Sequence, residues 1–329
     1  MDRGPARPGV GRGAVVHRLR LLRGGPEPAG RRRPPATGAG RSRPALRRAL
    51  LPLARPHQAL CGVPDGRGGA GAVLTSAPAR PLVVLPTYQE AQTIDQVLTA
   101  IRRELPAATV LVVDDASPDG TADRAGAMAA QLGRIEVLRR HGKAGLGSAY
   151  RAGFRWGLDR GFDALLEMDA DLSHDAAALP ELVAPLAEGA DLVIGSRYVP
   201  GGSTPNWSLP RILLSRWGNR YAAAALGLDV RDATAGFRAY RAAVLEAVGI
   251  DRVRAEGYGF QIELAYRVAR AGYRVVEVPI TFVDRTLGKS KMSTRVIVEA
   301  LVLVTGWGVR DRLRGPAASV GGALRHRRR

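Results

Sequence analysis

The sequence predicts an α/β protein built on a mainly parallel central sheet flanked by helices. Three observations carry this. Short apolar runs recur through the middle of the chain, helical stretches with one apolar face separate them, and acid-rich clusters stand directly after several runs.

The first run is residues 82–85 (LVVL), closed by Pro86, the pattern of a strand buried on both faces. Ile94, Val97, Leu98, Ile101 and Leu105 follow at helical spacing and form one apolar face. Residues 109–113 (TVLVV) make a second strand running into Asp114 and Asp115. A helix over 119–132 leads to a strand at 135–138, a helix at 149–158, a strand at 164–168 that ends at Asp169, and a strand at 191–194. Ligands of such sheets sit beyond the carboxyl ends of the strands, where the polar clusters stand. Beyond Gly195 the alternation loosens. Helices at 210–226 and 258–271 are separated by the turn-rich DATAGFRAY. A strand at 273–278 is extended by 279–283. Residues 296–304 belong to a terminal amphipathic helix suited to packing on the sheet or to lying on a membrane surface.

The 329 residues carry a formal charge of +19, and the excess lies at the ends. Residues 1–80 hold sixteen arginines against Asp2, Glu27 and Asp65, and the tail after Gly315 adds four arginines and no acid. The middle keeps an ordinary balance, so no nucleic acid is expected as a partner; a binding protein that holds nucleic acid through its basic ends is the remote alternative. Residues 1–78, rich in Arg, Pro, Gly and Ala with no strand or helix period, read as a disordered extension or as the product of a start codon placed too early. Residues 79–315 read as the folded domain, divisible at 200/201, and 316–329 as a basic disordered tail. Cys61 is the only cysteine, which excludes an intrachain disulfide and a multi-cysteine metal site. No run reaches the roughly 18 apolar residues of a spanning helix. Arginine and proline interrupt the apolar stretches of the N-terminal segment, so no signal peptide is expected and the protein reads as cytoplasmic.

Four clusters carry chemistry. Pro86, Thr87, Tyr88, Gln89 and Glu90 follow the first strand, and residues 114–121 (DDASPDGT) follow the second. Either alone is compatible with turn and cap chemistry, with Asp119 or Thr121 as a helix cap. Asp169-Ala170-Asp171 follows the strand ALLEM and puts two carboxylates at the ligand edge. Like charges that close are costly unless a cation neutralises them, and hard oxygen donors suit Mg²⁺ or Mn²⁺ bridging to a diphosphate. Residues 142–147 (GKAGLG) form a glycine-rich loop with one lysine. It lacks the Walker spacing, as does Gly288-Lys289-Ser290, and no Gly-x-Gly-x-x-Gly opens the first helix. Phosphate is therefore handled here outside the P-loop and dinucleotide folds. Among later residues, Arg197 follows a strand at the ligand edge, and Arg211 and Ser215 lie four apart on one helix face. Trp207 fits either core or an acceptor contact, and His174 either a cap, a support for the carboxylates or a ligand.

The ordered motifs resemble the dolichyl-phosphate mannose synthases and polyprenol monophosphomannose synthases, among the GT-A glycosyltransferases of family 2. The resemblance covers about residues 82–313. It rests on VLPTYQE, VVDDASPDGT, the Lys-x-Gly-Leu-Gly-x-Ala-Tyr of 143–150, MDADLSH and IGSRYVPGG. It continues through Trp207, Arg211 and Ser215 to ATAGFRAY, GYGFQIEL and EVPITFVDRTLGKSKM. Small departures are Gln89, Ala116 and Ala235. The resemblance implies the GT-A nucleotide-diphospho-sugar transferase fold, with a nucleotide-sugar and metal half (79–200) and an acceptor half (201–315). It implies nucleotide-sugar binding by Pro86, Tyr88, Glu90, Asp115, Lys143 and Asp169. A metal would sit on Asp169 and Asp171, with Ser173 at the third position. The acceptor phosphate falls to Arg197, Arg211 and Ser215, with Arg285, Lys289 and Lys291 in a basic loop over the site; Asp169, Asp171 and Arg197 carry catalysis.

The activity so implied is inverting transfer of mannose from GDP-mannose to polyprenyl phosphate with Mg²⁺ or Mn²⁺. UDP-glucose or another sugar nucleotide is the alternative donor. The expected place is the cytoplasmic face of a membrane, reached peripherally or through a membrane-anchoring partner protein.

Overall fold

The computed structural model describes residues 78–284 and 294–314. The readings made for 1–77, for the basic residues Arg285, Lys289 and Lys291, and for the C-terminal tail lie outside the described residues.

Seven strands form one sheet in the order β3-β2-β1-β4-β6-β5-β7. They are β1 Pro81–Thr87, β2 Thr109–Asp114, β3 Ile135–Arg139, β4 Ala164–Glu167, β5 Leu192–Ser196, β6 Arg238–Arg241 and β7 Val275–Pro279. β1 pairs in parallel with β2 and β4, β2 with β3, and β5 with β7, so these carboxyl ends open on one edge. Only β6 runs antiparallel, between β4 and β5.

Alternate residues of each central strand feed two cores, which is why these strands read as unbroken apolar runs. Leu82 and Val84 join Tyr150, Phe154 and Phe260 on one face, covered by α3 (Leu146–Asp159), α5 (Leu209–Leu226), α6 (Ala242–Val248), α7 (Gly257–Arg270) and α8 (Thr294–Arg314). Val83 and Leu85 join Ile94, Leu98 and Leu182 on the other, covered by α1 (Ile94–Glu104), α2 (Thr121–Leu132) and α4 (Leu179–Ala187). Each such buried side chain contributes about 1.5–3 kcal/mol. Helix α3 lies very close to β1: a Cβ on Gly153 would stand 2.3 Å from Val84 Cγ1, and one on Gly157 2.5 Å from Leu82 Cδ2. Helix α8 seats on α5 in the same way, where a Cβ on Gly308 would be 2.7 Å from the Ala225 carbonyl oxygen.

Two expectations are corrected. The stretch read as turn-rich, DATAGFRAY, ends in central strand β6. Its side chains are buried on both faces, and Arg238, fully buried, disguises the strand as a polar turn. The terminal helix to which 296–304 belongs runs over Thr294–Arg314. Helix α3 begins at Leu146, which shortens the glycine-rich loop before it. Helix α4, which carries Pro180 and Pro185, has no counterpart in the sequence reading, because its prolines hide the helical period. No helix among the described residues is long and apolar enough to cross a membrane.

Candidate active site

The loops after β1, β2 and β4 each hold one non-glycine residue in the left-handed region: Gln89 (φ 61°), Ala116 (φ 56°) and Leu172 (φ 63°). Such conformations are held against a local penalty by their surroundings. Here the first two loops hold each other. The Gln89 amide donates to Ser117 Oγ, the Glu90 amide to Thr121 Oγ1, and the Ala91 amide to Asp119 Oδ2, at 3.0, 3.0 and 3.1 Å. Asp114 accepts from the hydroxyls of Thr87 and Ser117. Burial alone would raise the Asp119 carboxyl, but the Thr121 hydroxyl and the backbone amides of Ala91 and Thr121 bring it below the ordinary value. Asp114, Asp119, Ser117 and Thr121 thus serve as framework for these loops.

Pro86, Tyr88 and Glu90 end or follow β1 and Asp115 follows β2, and Lys143 and Ala144 reach these two loops at Tyr88 and Asp115. Asp115 is almost sealed from solvent and accepts from Arg140 Nη1 at 2.6 Å and from the Ala144 amide at 3.3 Å. Arg140 also donates to Ser148 Oγ. Lys143, exposed, stands 4.2 Å over the Tyr88 ring. Arg140 was not singled out from sequence; only its position just after β3 marks it.

After β4, Asp169 accepts from Tyr150 Oη at 3.3 Å, and burial together with the Asp169 charge pushes the Tyr150 phenol well above its ordinary value. The Asp169 amide donates to His174 Nδ1, and the His174 ring stacks on Phe237 at 4.8 Å. His174 therefore supports the loop and does not offer Nδ1 to a metal. Asp171 accepts from the Ser173 amide at 3.0 Å. Ser173 Oγ is buried and has no hydrogen-bond partner. Two carboxylates beside an orphaned hydroxyl oxygen are a hard donor set that fits Mg²⁺ or Mn²⁺. No group of three His, Cys, Asp or Glu side chains stands together among the described residues.

The second half of the site is built around Arg197, at the end of β5. Its Nε and Nη2 donate to the two oxygens of Asp232 at 2.7 and 2.6 Å, and Nη2 also to Thr234 Oγ1. Burial opposes its charge, but Asp232 overcomes this and holds the guanidinium protonated beyond the usual arginine range. Nη1 has no hydrogen-bond partner among the described residues, so the buried arginine keeps donors to offer. Arg211 pairs with Asp284 at 2.7 Å and stacks over Trp207 at 3.9 Å. Ser215 Oγ accepts from Tyr198 Oη at 2.6 Å, which leaves its own proton available to donate. Residues 281–284 tie this group to the carboxylate loop: the Val283 amide donates to the Ser173 carbonyl, and Phe282 packs edge-on against both His174 and Trp207. Asp232, Thr234, Tyr198 and Asp284 escaped the sequence reading, because their partners lie 17 to 73 residues away in the chain.

Arg197, Arg211 and Ser215 line a cleft between α5, α7 and α8, together with apolar residues that include Leu214, Ile262, Leu301 and Val304. The cleft places cationic and hydroxyl donors beside an apolar trench, an arrangement for an amphiphile with an anionic head.

Residues 82–249 match the profile of Glycosyl transferase family 2. An undecaprenyl-phosphate mannosyltransferase from Micrococcus luteus is 51% identical over 242 residues, covering 74% of this chain and 99% of that protein. A polyprenol monophosphomannose synthase from Mycolicibacterium smegmatis is 49% identical over 235 residues, 71% of this chain and 89% of that one. Among solved structures, glucosyl-3-phosphoglycerate synthase from Mycobacterium tuberculosis bound to phosphoglyceric acid has a TM-score of 0.55 at 21% identity, over 70% of this chain and 80% of that one. The same enzyme with Mn²⁺, UDP and glucosyl-3-phosphoglycerate gives 0.53 at 22% identity, over 69% and 80%. At that identity the likeness concerns the fold.

Proposed function

The chain belongs to glycosyl transferase family 2 and has the GT-A fold, and from that premise we propose that it transfers mannose from GDP-mannose to polyprenyl phosphate with inversion. The observation that carries the acceptor is the cleft in which Arg197, Arg211 and Ser215 meet an apolar trench. The mannosyl and polyprenyl-phosphate parts of the reading are supported by the names of relatives at 49–51% identity.

In this mechanism an oxygen of the lipid phosphate attacks the anomeric carbon, the new C–O bond forming as the bond to the departing GDP breaks. A phosphate monoester has a second pKa of about 6, so its nucleophilic oxygen is already ionised and no strong base is needed. Arg197 Nη1, Arg211 and Ser215 orient that phosphate. Asp115, Tyr88 and Lys143 hold the nucleotide, with Pro86 and Glu90 completing the base and ribose side. Asp169, Asp171 and Ser173 would hold Mg²⁺ or Mn²⁺, which when bound neutralises the leaving diphosphate. The contribution of the chain is alignment and fixed charge. The enzyme would work peripherally at the cytoplasmic face of a membrane, alone or with an anchoring partner.

The test is label from GDP-[¹⁴C]mannose entering an organic-extractable, mild-acid-labile product with polyprenyl phosphate and Mg²⁺ or Mn²⁺. UDP-glucose runs in parallel. Label from GDP-mannose alone, lost with EDTA, supports reaction and donor; label from UDP-glucose alone overturns the donor; label from neither overturns the reaction.

A further inference from the structure

Ten large apolar side chains are well exposed among the described residues, and eight of them lie on α5 and α8. The distribution within each helix is directional. On α5, Leu209, Leu213, Leu214 and Trp217 are 74, 67, 44 and 53% exposed and fall within an arc of about 140° at 3.6 residues per turn, Leu214 and Trp217 also reaching the cleft. On α8, Val298, Val302, Val309 and Leu313 are 52, 65, 48 and 82% exposed and fall within an arc of about 60°. The two helices pack on each other through Gly308 and Ala225, so the two stripes lie on neighbouring helices. The more buried sides of the same helices wall the apolar cleft, through Ala222, Leu301 and Val304.

The charges on this region are one-sided. Helix α5 contains Arg211, Arg216 and Arg220 and no acidic residue. Arg216, Arg220 and Arg231 surround a cavity of about 320 Å³ beside Tyr198. All three are exposed, and none has an ion pair or a guanidinium hydrogen bond among the described residues; Arg216 only faces the Tyr198 ring, at 5.5 Å. Helix α8 adds exposed Arg310 and Arg312. Of its two acids, Asp311 is already engaged by Tyr266 and Arg270, leaving Glu299 at the surface. A helix pair exposing Leu, Val and Trp beside uncompensated arginines matches the boundary of an anionic bilayer, where apolar side chains enter the acyl region and arginines meet phosphate headgroups.

We infer that the outer face of α5 and α8 docks the enzyme on an anionic membrane, with Arg216, Arg220 and Arg231 seating lipid headgroup phosphates. The inference deepens the lipid-acceptor reading and rests on it for the purpose of the face: docking there would bring the mouth of the cleft to the layer that holds the polyprenyl chain. It separates this headgroup basin from the acceptor phosphate, which Arg197, Arg211 and Ser215 address.

The experiment is flotation of the full chain with phosphatidylcholine vesicles, with and without phosphatidylglycerol. Two variant sets are compared: Leu213→Ser with Val302→Ser and Leu313→Ser, and Arg216→Gln with Arg220→Gln and Arg231→Gln. Each set should weaken partitioning onto anionic vesicles on the order of tenfold or more, and the arginine set should also erase the preference for phosphatidylglycerol. Both sets should keep the parent's transfer to a short, water-soluble isoprenyl phosphate, which shows that they fold. Parent-like flotation of both sets overturns the proposal, placing membrane contact elsewhere in the chain. A parent that is dimeric without lipid, and monomeric with the serine set, also overturns it, because a second copy then covers the face. Failure of transfer to the short acceptor by the parent would count against the acceptor reading alone, since flotation judges the docking face by itself.

Discussion

Arg197 and Asp232 face each other as a two-bonded pair, Nε and Nη2 against the two carboxylate oxygens, with 7% and 0% of their side chains exposed. Asp232 also accepts from the Arg197 backbone amide at 3.0 Å, so a single carboxylate fixes both the strand end and its guanidinium. In turn, the Arg231 and Asp232 amides donate to Glu277 on β7 at 2.7 and 2.9 Å. The proposed acceptor arginine is thus held from behind, and its remaining donors face a fixed direction.

Asp232→Asn should therefore cost more than the pair itself is worth. Removing one partner of a buried ion pair leaves an uncompensated charge, a loss of about 3–5 kcal/mol. The expected outcome is a lower melting temperature together with a raised KM for polyprenyl phosphate and little change in KM for GDP-mannose. Equal changes in both KM values would remove Arg197 from the acceptor side.

Ser173→Ala should behave in the opposite way. The buried hydroxyl has no hydrogen bond to lose, so stability in EDTA should hold or rise slightly. If Ser173 Oγ is a cation ligand, the half-saturating Mn²⁺ concentration for transfer should rise by roughly tenfold or more, as changes around metal sites do. Asp171→Asn should abolish transfer at all Mn²⁺ concentrations tested. A Ser173→Ala variant with unchanged Mn²⁺ dependence would reduce the metal set to the two carboxylates.

Tyr198→Phe tests the hydroxyl pair. Tyr198 Oη donates to Ser215 Oγ and so directs the serine proton away from itself. Without that donor the serine rotates freely and its bond to the acceptor phosphate weakens. A several-fold rise in KM for polyprenyl phosphate is expected, with kcat nearly unchanged. Because both residues act through one proton, Tyr198→Phe with Ser215→Ala should be no worse than Ser215→Ala alone. Additive losses would mean that the two contribute separately.

The legible parts of this molecule are those in which a residue's neighbours in sequence are also its neighbours in function. Leu82–Leu85 and Asp169–Asp171 declare a strand and its acidic end within a few residues. Arg211 and Ser215 share a helix face by spacing alone. Arg238 shows the limit. It is fully buried in a central strand because its guanidinium donates to the carbonyls of Ala233, Ala235 and Gln261, which no local pattern announces. Asp232 likewise looks like a loop acid until β5 brings Arg197 beside it. The cleft could not be read at all, since its walls come from three helices whose order in space is set by the sheet.

Glu167 makes the last prediction, on stability and pH. It ends β4 opposite Arg238 on β6, fully buried, and accepts from Gln261 Nε2 at 2.7 Å. Burial, only partly offset by Arg238 and Gln261, pushes its carboxyl up to about 7 from an ordinary 4.5. Glu167 Oε1 and Gln261 Oε1 are both buried without a hydrogen-bond partner, and a proton on the carboxyl supplies one donor where neither atom has any. The sign follows from proton counting. Between about 4.5 and 7 the folded chain keeps this proton and the unfolded chain has lost it. The contribution of Glu167 is therefore most favourable near the lower end, declines as pH rises through the window, and levels off above it. The full span is on the order of 3 kcal/mol. Glu167→Gln, which mimics the neutral acid, should match the parent at the acidic end and exceed it in stability above neutrality. Denaturant unfolding in EDTA across this range measures the difference while keeping any cation off the neighbouring aspartates. Parallel stability curves for parent and variant would show that Glu167 remains ionised in the folded chain, stabilised by Arg238 across the strand pair.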